Sequence, residues 1–169
     1  MSSASLTVSI SALAFALAAA SATPAAAQDR VGGHFGVVIP LVTRANGATT
    51  TISDDFVVGF PTGITIHGSG RVSFDLELVP VIQNEPQHVD LTVHPGVLVG
   101  LADRLTGGLR MAFDVNRPSW GFTPLLNRGF SVNGMAVFGE LVVPIRFQID
   151  PAGSNFTSVG LGIHAGVGF

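Results

Sequence analysis

Taken at every second position, the chain from Val31 to Phe169 sorts repeatedly into an apolar set and a small or polar set. A β-strand sends successive side chains to opposite faces, so this period of two predicts strands with one greasy face each. In Val31–Val42 the apolar set is Val31, Phe35, Val37, Ile39 and Leu41, with Gly32, His34 and Gly36 opposite. Phe56–Ile66 alternates in the same way, and Arg71–Ile82 is the cleanest case: Val72, Phe74, Leu76, Leu78 and Ile82 against Arg71, Ser73, Asp75 and Glu77. His88–Leu101, Leu105–Val115 and Met135–Ile149 repeat the rule, and Thr157–Phe169 ends the chain with it. Turn residues separate these runs at His67–Gly70, Asn84–Gln87, Ala102–Arg104 and Asp150–Asn155. The segment Thr43–Asp55, with Asn46-Gly47 as its turn signal, is the longest predicted loop.

The pattern falters over Asn116–Asn133, which holds Pro118, Trp120, Pro124 and two glycines. Its best window, Phe122–Val132, leaves Arg128 on the apolar face, so a full strand and an irregular segment across a barrel mouth both remain open. Seven strands plus this one give eight, the even number that single-chain bacterial barrels have. Eight strands also put the turns at His67–Gly70 and Ala102–Arg104 at the end that holds the C-terminus. The longer Thr43–Asp55 and Asn116–Gly121 segments fall at the opposite end.

The last strand, TSVGLGIHAGVGF, has Val159, Leu161, Ile163, Ala165, Val167 and Phe169 on one face and Ser158, Gly160, Gly162, His164, Gly166 and Gly168 on the other. Its alternation and terminal aromatic residue resemble the C-terminal strand of outer-membrane β-barrels. Together with the short turns, they make the chain similar to the small eight-stranded barrels of the OmpA/OmpX type over Val31–Phe169. The expected fold is therefore all-β: an antiparallel up-and-down membrane β-barrel of eight strands. The resemblance implies insertion by the barrel-assembly machinery, with Phe169 as the assembly signal, contact with outer-membrane lipid, and a structural, adhesive or small-solute role; the short loops argue against a dedicated adhesin, and neither enzyme activity nor a cofactor is expected.

Composition is consistent with that expectation. The chain is 47% hydrophobic and 11% charged, against about 25% charged in ordinary soluble domains. Beyond the N-terminus no apolar run reaches the ~18 residues of a membrane helix. Residues 1–27 read as a cleaved signal peptide, with an apolar stretch Ile10–Ala20 and the small-residue site Ala25-Ala26-Ala27, leaving a barrel domain over residues 28–169. The leader lacks a Lys or Arg before its apolar stretch, and an uncleaved anchor helix is the alternative. Without cysteine, disulfides, thiolate metal sites and thiol catalysis are excluded. A net charge of −3, with the charges scattered, leaves no nucleic-acid footprint.

The face opposite the aliphatic stripe carries Arg71, Asp75, Glu77, His88, Asp90, Arg110, Asp114, Glu140 and Arg146, with His94 beside them, and many glycines. Small and paired polar residues suit the narrow interior of an eight-stranded barrel, whereas a full set of Leu, Val, Ile and Phe would overfill it. These ten residues are expected to form a paired polar network that fills the lumen. A soluble lipocalin-like barrel, with the apolar face turned inward around an apolar ligand, is the alternative. An outer-membrane lipid hydrolase is another, with His88, His94, Asp90, Ser73 and Glu77 as candidate groups but without a nucleophile-elbow motif. His88, Asp90 and His94 also share a face, but two histidines and one acid are more simply hydrogen-bonding filler than a metal site.

Overall fold

The computed structural model describes residues 30–169, except 85 and 150–152. The leader expected over residues 1–27 lies outside the described residues. Eleven strand segments follow in order: β1 (Val31–Ala45), β2 (Ala48–Thr51), β3 (Val58–Gly59), β4 (Thr62–His67), β5 (Val72–Gln83), β6 (His88–Ala102), β7 (Leu105–Asp114), β8 (Ser119–Val132), β9 (Met135–Val142), β10 (Ile145–Ile149) and β11 (Asn155–Gly168). Every pairing is antiparallel, and β11 returns to pair with β1 from His34↔Gly168 to Ala45↔Ser158. β3 with β4 forms one stave and β9 with β10 another, while β2 only extends β1 as a hairpin. The staves are then β1, β3/β4, β5, β6, β7, β8, β9/β10 and β11, a closed up-and-down barrel of eight.

The two interruptions fall at prolines. Pro has no N–H to give to a ladder, and β3/β4 breaks at Phe60-Pro61, β9/β10 at Val143-Pro144. The staves nonetheless stay bonded across the breaks: Phe60 N donates to Pro80 O at 2.9 Å, Gly36 N to Pro61 O at 2.9 Å, and Gly160 N to Pro144 O at 2.8 Å. Closure extends to the last residue, where Gly33 N donates to Phe169 O at 2.8 Å and Phe169 N to Gly33 O at 2.9 Å.

Two sequence expectations change. The predicted loop Thr43–Asp55 is mostly hairpin: Thr43–Ala45 continue β1, and Asn46 (φ 51°) and Gly47 (φ 78°) form the two-residue turn into β2. Left-handed φ at both central residues is the geometry that matches strand twist, and Asn-Gly is the pair that tolerates it best. Just beyond, Asp54 accepts from the Thr51 amide and hydroxyl, each at 2.8 Å, and these donors hold its carboxyl below the usual carboxylate pKa.

The ambiguous Asn116–Asn133 contains a full strand. β8 pairs with β7 from Leu105↔Arg128 to Phe113↔Trp120 without a register shift. Arg128 does sit on the outer face, but close to the turn at Asp103, whose carbonyl it reaches at 3.0 Å. That bond takes the charged head off the apolar stripe toward the strand end, the ordinary behaviour of a long cationic side chain.

The two faces differ sharply. Leu78, Val97, Leu109, Leu126, Leu141 and Ile163 are among the large apolar residues exposed on the outside, each close to half accessible. Inside, the buried set is mainly polar: Asp75, Glu77, Asp90, His94, Arg110, Glu140 and His164, with Val79, Ala112, Leu125 and Val142 as the buried aliphatics. This sidedness is the reverse of a soluble barrel built around an apolar interior. On the exterior, Trp120 packs against Phe147 (4.8 Å between centroids) and Phe122 (5.7 Å) near the loop end of β8 and β10. Phe35, Phe74 and Phe130 lie outside toward the end that holds the termini.

Close approach of β8 and β10 depends on Gly121, where an added Cβ would overlap the Ile145 carbonyl. Gly139 of β9, on the outer face, has open space where a Cβ would go. Gly121→Ala is expected to destabilise the barrel by about 1–3 kcal/mol, the usual cost of overpacking, and Gly139→Ala to leave it nearly unchanged. Folded fraction against urea for the two variants checks this.

Candidate functional site

The alternation that turns aliphatic residues outward brings acids and bases from six staves into one interior cluster. At its centre is Arg110 of β7. Its Nε donates to Asp75 Oδ2 at 2.7 Å, its Nη1 to Glu140 Oε1 at 2.7 Å, and Nη1 stands 3.6 Å from Glu77 Oε2. Thr65 supplies Asp75 with a second hydrogen bond at 2.7 Å, and Asn127 reaches Glu140 Oε2 at 3.2 Å. Three carboxylates thus meet one guanidinium, and imidazoles supply the remaining donors. His34 Nε2 lies 3.0 Å from Glu77 Oε1, His94 Nδ1 3.2 Å from Glu77 Oε2, and His164 Nδ1 3.2 Å from Glu140 Oε1. An ionised carboxylate only accepts, so each of those ring nitrogens carries its hydrogen. Phe138 closes the packing with its edge on His34 (5.9 Å) and His164 (4.9 Å).

Glycines make the room for these rings. A Cβ at Gly36 would fall on the His164 ring, one at Gly63 on the His34 ring, and one at Gly96 on the Arg110 stem. The bare positions of β1, β4 and β6 are therefore seats for plug side chains in an interior only just wide enough for them.

A second cluster lies nearer the loop end. Arg117, in the turn before β8, pairs with Asp90 at 3.2 Å and Asp114 at 3.0 Å. Thr92 donates to Asp114 at 2.6 Å and Gln83 to Asp90 at 3.3 Å. Between this cluster and the plug is a cavity of about 380 Å³ that reaches Thr50, Thr51 and Asp55 at the loop end. Val38, Val42, Val79, Val81, Val142 and Pro144 form an apolar wall, and Glu77, His94, Arg110 and His164 lie among its deeper residues.

Arg146 of β10 lines the same cavity. Its Nη1 donates to Thr123 Oγ1 (3.0 Å), Phe122 O (3.2 Å) and Ile145 O (3.2 Å), and Nη2 to His94 Nε2 (3.3 Å). No carboxylate lies within 4 Å of it among the described residues. Since His94 accepts there and donates to Glu77, its tautomer is fixed by its neighbours.

Of the ten residues expected in the lumen network, Asp75, Glu77, His94, Arg110 and Glu140 meet in the plug, and Asp90 and Asp114 in the rim cluster. Arg146 stands between the two without an ion pair. His88 is displaced to the rim: it is exposed at the start of β6, with Nε2 3.4 Å from Asp90 and Nδ1 2.6 Å from Pro86 O. Arg71 is outside the network altogether, exposed in the turn before β5. His34, His164, Asn127 and Arg117 belong to the two clusters and were not anticipated there. Alternation places both histidines on the inner face, but which residues of the other staves they meet leaves no mark on the sequence.

The hydrolase candidates do not assemble. Ser73 meets His67 at 3.2 Å near the terminal end, His88 is at the opposite rim, and His94 is committed to Glu77 and Arg146. No His, Asp and Glu grouping among the described residues is arranged to hold a metal ion. Phe169 has its ring beside Gly33, largely exposed.

No family model matches the chain, and no curated protein matches it. Among solved structures, the outer membrane protein OprG from Pseudomonas aeruginosa is similar over 82% of this chain and 92% of its own, at 12% identity and a TM-score of 0.40. Ail, the attachment invasion locus protein of Yersinia pestis, in complex with the heparin analogue sucrose octasulfate, is similar over 83% and 98%, at 8% identity and a TM-score of 0.44.

Removing one partner of a buried ion pair leaves the others uncompensated, at a typical cost of about 3–5 kcal/mol. Arg110→Met strands three carboxylates at once and is expected to reach or exceed that range in urea unfolding. Arg71→Met, outside both clusters, is expected to leave stability within about 0.5 kcal/mol.

Proposed function

We propose that the chain is an integral outer-membrane β-barrel protein with a plugged lumen, acting in the cell envelope as a structural or solute-handling component and not as an enzyme. The observation that carries this reading is the sidedness of the closed sheet. Water rewards charged exteriors and apolar cores; this barrel presents Leu, Val, Ile and Phe around its outside and gathers its acids and bases within. A hydrocarbon surrounding makes both choices favourable. It also favours closure, because an unpaired strand edge has no water to bond to.

Strand lengths support the same reading: the unbroken staves run from 10 to 15 residues, against the ~9–11 needed to cross a bilayer at a tilt. The leader directs export, and the tight turns at the terminal end, one of them Asn133-Gly134 with φ of 52° and 81°, suit the periplasmic side. Phe169, bonded to Gly33 at the seam, is the residue that the assembly machinery reads in this proposal. The plug of Arg110 with three acids opposes conduction of any solute through the full length, and the separation of Ser73 from the plug histidines supports a non-catalytic role.

Membrane fractionation followed by gel migration with and without boiling tests the proposal. The mature protein is expected in the outer-membrane fraction, migrating as a folded species until heated. A soluble periplasmic protein without a heat-dependent shift overturns it. Within the folded protein, Leu78→Arg on the outer face of β5 is expected to cost roughly 2–4 kcal/mol if that face meets the bilayer interior, measured by urea titration in lipid vesicles. In a water-facing position the same change costs almost nothing.

A further inference from the structure

We infer that the cavity at the loop end of the lumen is a binding site for a small apolar carboxylate, with Arg146 as the group that receives it. This rests on the barrel reading above only in that the mouth of the cavity then faces the cell exterior.

The charge pattern carries the inference. Arg110 has three acids, and Arg117 has two. Arg146, partly buried in the same interior, has neutral partners alone: two carbonyls, a hydroxyl and an imidazole nitrogen. A guanidinium in a low-dielectric site with no carboxylate within 4 Å among the described residues is costly, and a planar fork of donors matches a carboxylate closely. Those partners hold the head in place through Nη1 and Nη2, and Nε has no hydrogen bond to the protein among the described residues. Asp90 and Asp114 also line the cavity, but Arg117, Gln83 and Thr92 hold them.

The remaining wall supplies the second half of the chemistry. Val38, Val42, Val79, Val81, Val142 and Pro144 present an apolar surface inside a lumen that is otherwise polar. A volume of about 380 Å³ falls at the small end of ligand pockets, which combine an apolar lining with a few placed polar groups. A ligand with one carboxylate and a short hydrocarbon body satisfies both features. Asp55, close to the mouth, has a buried Oδ1 without a hydrogen bond. It argues against a second anionic group at the mouth and leaves Arg146 as the place for the carboxylate.

The test uses the barrel folded in lipid nanodiscs, with hexanoate, 1-hexanol and hexylammonium as probes and methyl chemical shifts as the readout. Hexanoate is expected to shift the inward Val79 and Val142 methyls saturably, to leave the outward Leu78 methyls unmoved, and to bind at least about tenfold more tightly than hexanol, the scale of a charge-assisted hydrogen bond. Arg146→Gln is expected to abolish that preference, and Val81→Phe, which fills the cavity and keeps Arg146, to abolish binding of all three probes. Equal binding of hexanol, tighter binding of hexylammonium, or an unchanged hexanoate preference in Arg146→Gln overturns the inference. So do shifts confined to Leu78, which report partition into lipid. Should Arg146→Gln fail to fold, the probe series on the unaltered protein and Val81→Phe decide the matter. A barrel that is embedded and heat-modifiable but does not bind hexanoate refutes this site alone; a chain that never enters lipid refutes the membrane reading instead.

Discussion

Closure of the sheet on itself, β11 against β1, sets the terms for everything inside it. A strand edge left open presents a row of N–H and C=O groups, and in hydrocarbon each unmet group costs several kcal/mol. The seam is therefore complete to the last residue, with Phe169 and Gly33 exchanging both backbone bonds. Once eight staves close, the interior radius is fixed and every inward side chain must fit it. That is why large inward groups face bare ones: His164 lies against Gly36, His34 against Gly63, and the Arg110 stem against Gly96.

Within that radius, electrostatics divides the lumen. Asp75 and Glu77 come from β5 and Glu140 from β9, and one guanidinium from β7 reaches all three. Histidines supply the donors that a single arginine lacks, each fixed by the carboxylate it faces. The chain is poor in charge overall, and it concentrates much of that charge here. Filling one half of the lumen leaves the other half as a cavity walled partly by valines, so the plug and the cavity are two consequences of one packing problem.

Much of this was legible in the sequence. A side-chain period of two leaves no freedom in which face a residue occupies, so the inward placement of Asp75, Glu77, Arg110 and Glu140 follows from counting along each strand. The same counting let the barrel be told from a helical membrane protein and gave eight strands, including the doubtful β8. What counting cannot supply is position around and along the barrel. His88 and Asp90 share a parity, yet Asp90 is buried and His88 is exposed at the strand's start; Arg71 has the right parity and sits beyond the end of its strand. Arg117 comes from a turn, where parity has no meaning, and Arg146 has the expected parity but no acid beside it. The prolines at Pro61 and Pro144 interrupt two staves without disturbing the alternation, because neighbouring carbonyls and amides stay bonded.

The central claim is that the alternating face of each strand meets lipid and its opposite meets a packed polar interior. The chain has no native cysteine, so single cysteines placed in turn from Val72 to Gln83 along β5 can each carry a spin label in the vesicle-embedded protein. Collision rates with dissolved oxygen, which concentrates in hydrocarbon, are predicted to rise at Val72, Phe74, Leu76, Leu78, Pro80 and Ile82 and to fall at the residues between them. The highest values belong near the middle of the strand. Rates without that alternation, or a water-soluble quencher reaching Leu76 and Leu78 as readily as oxygen does, would contradict the account.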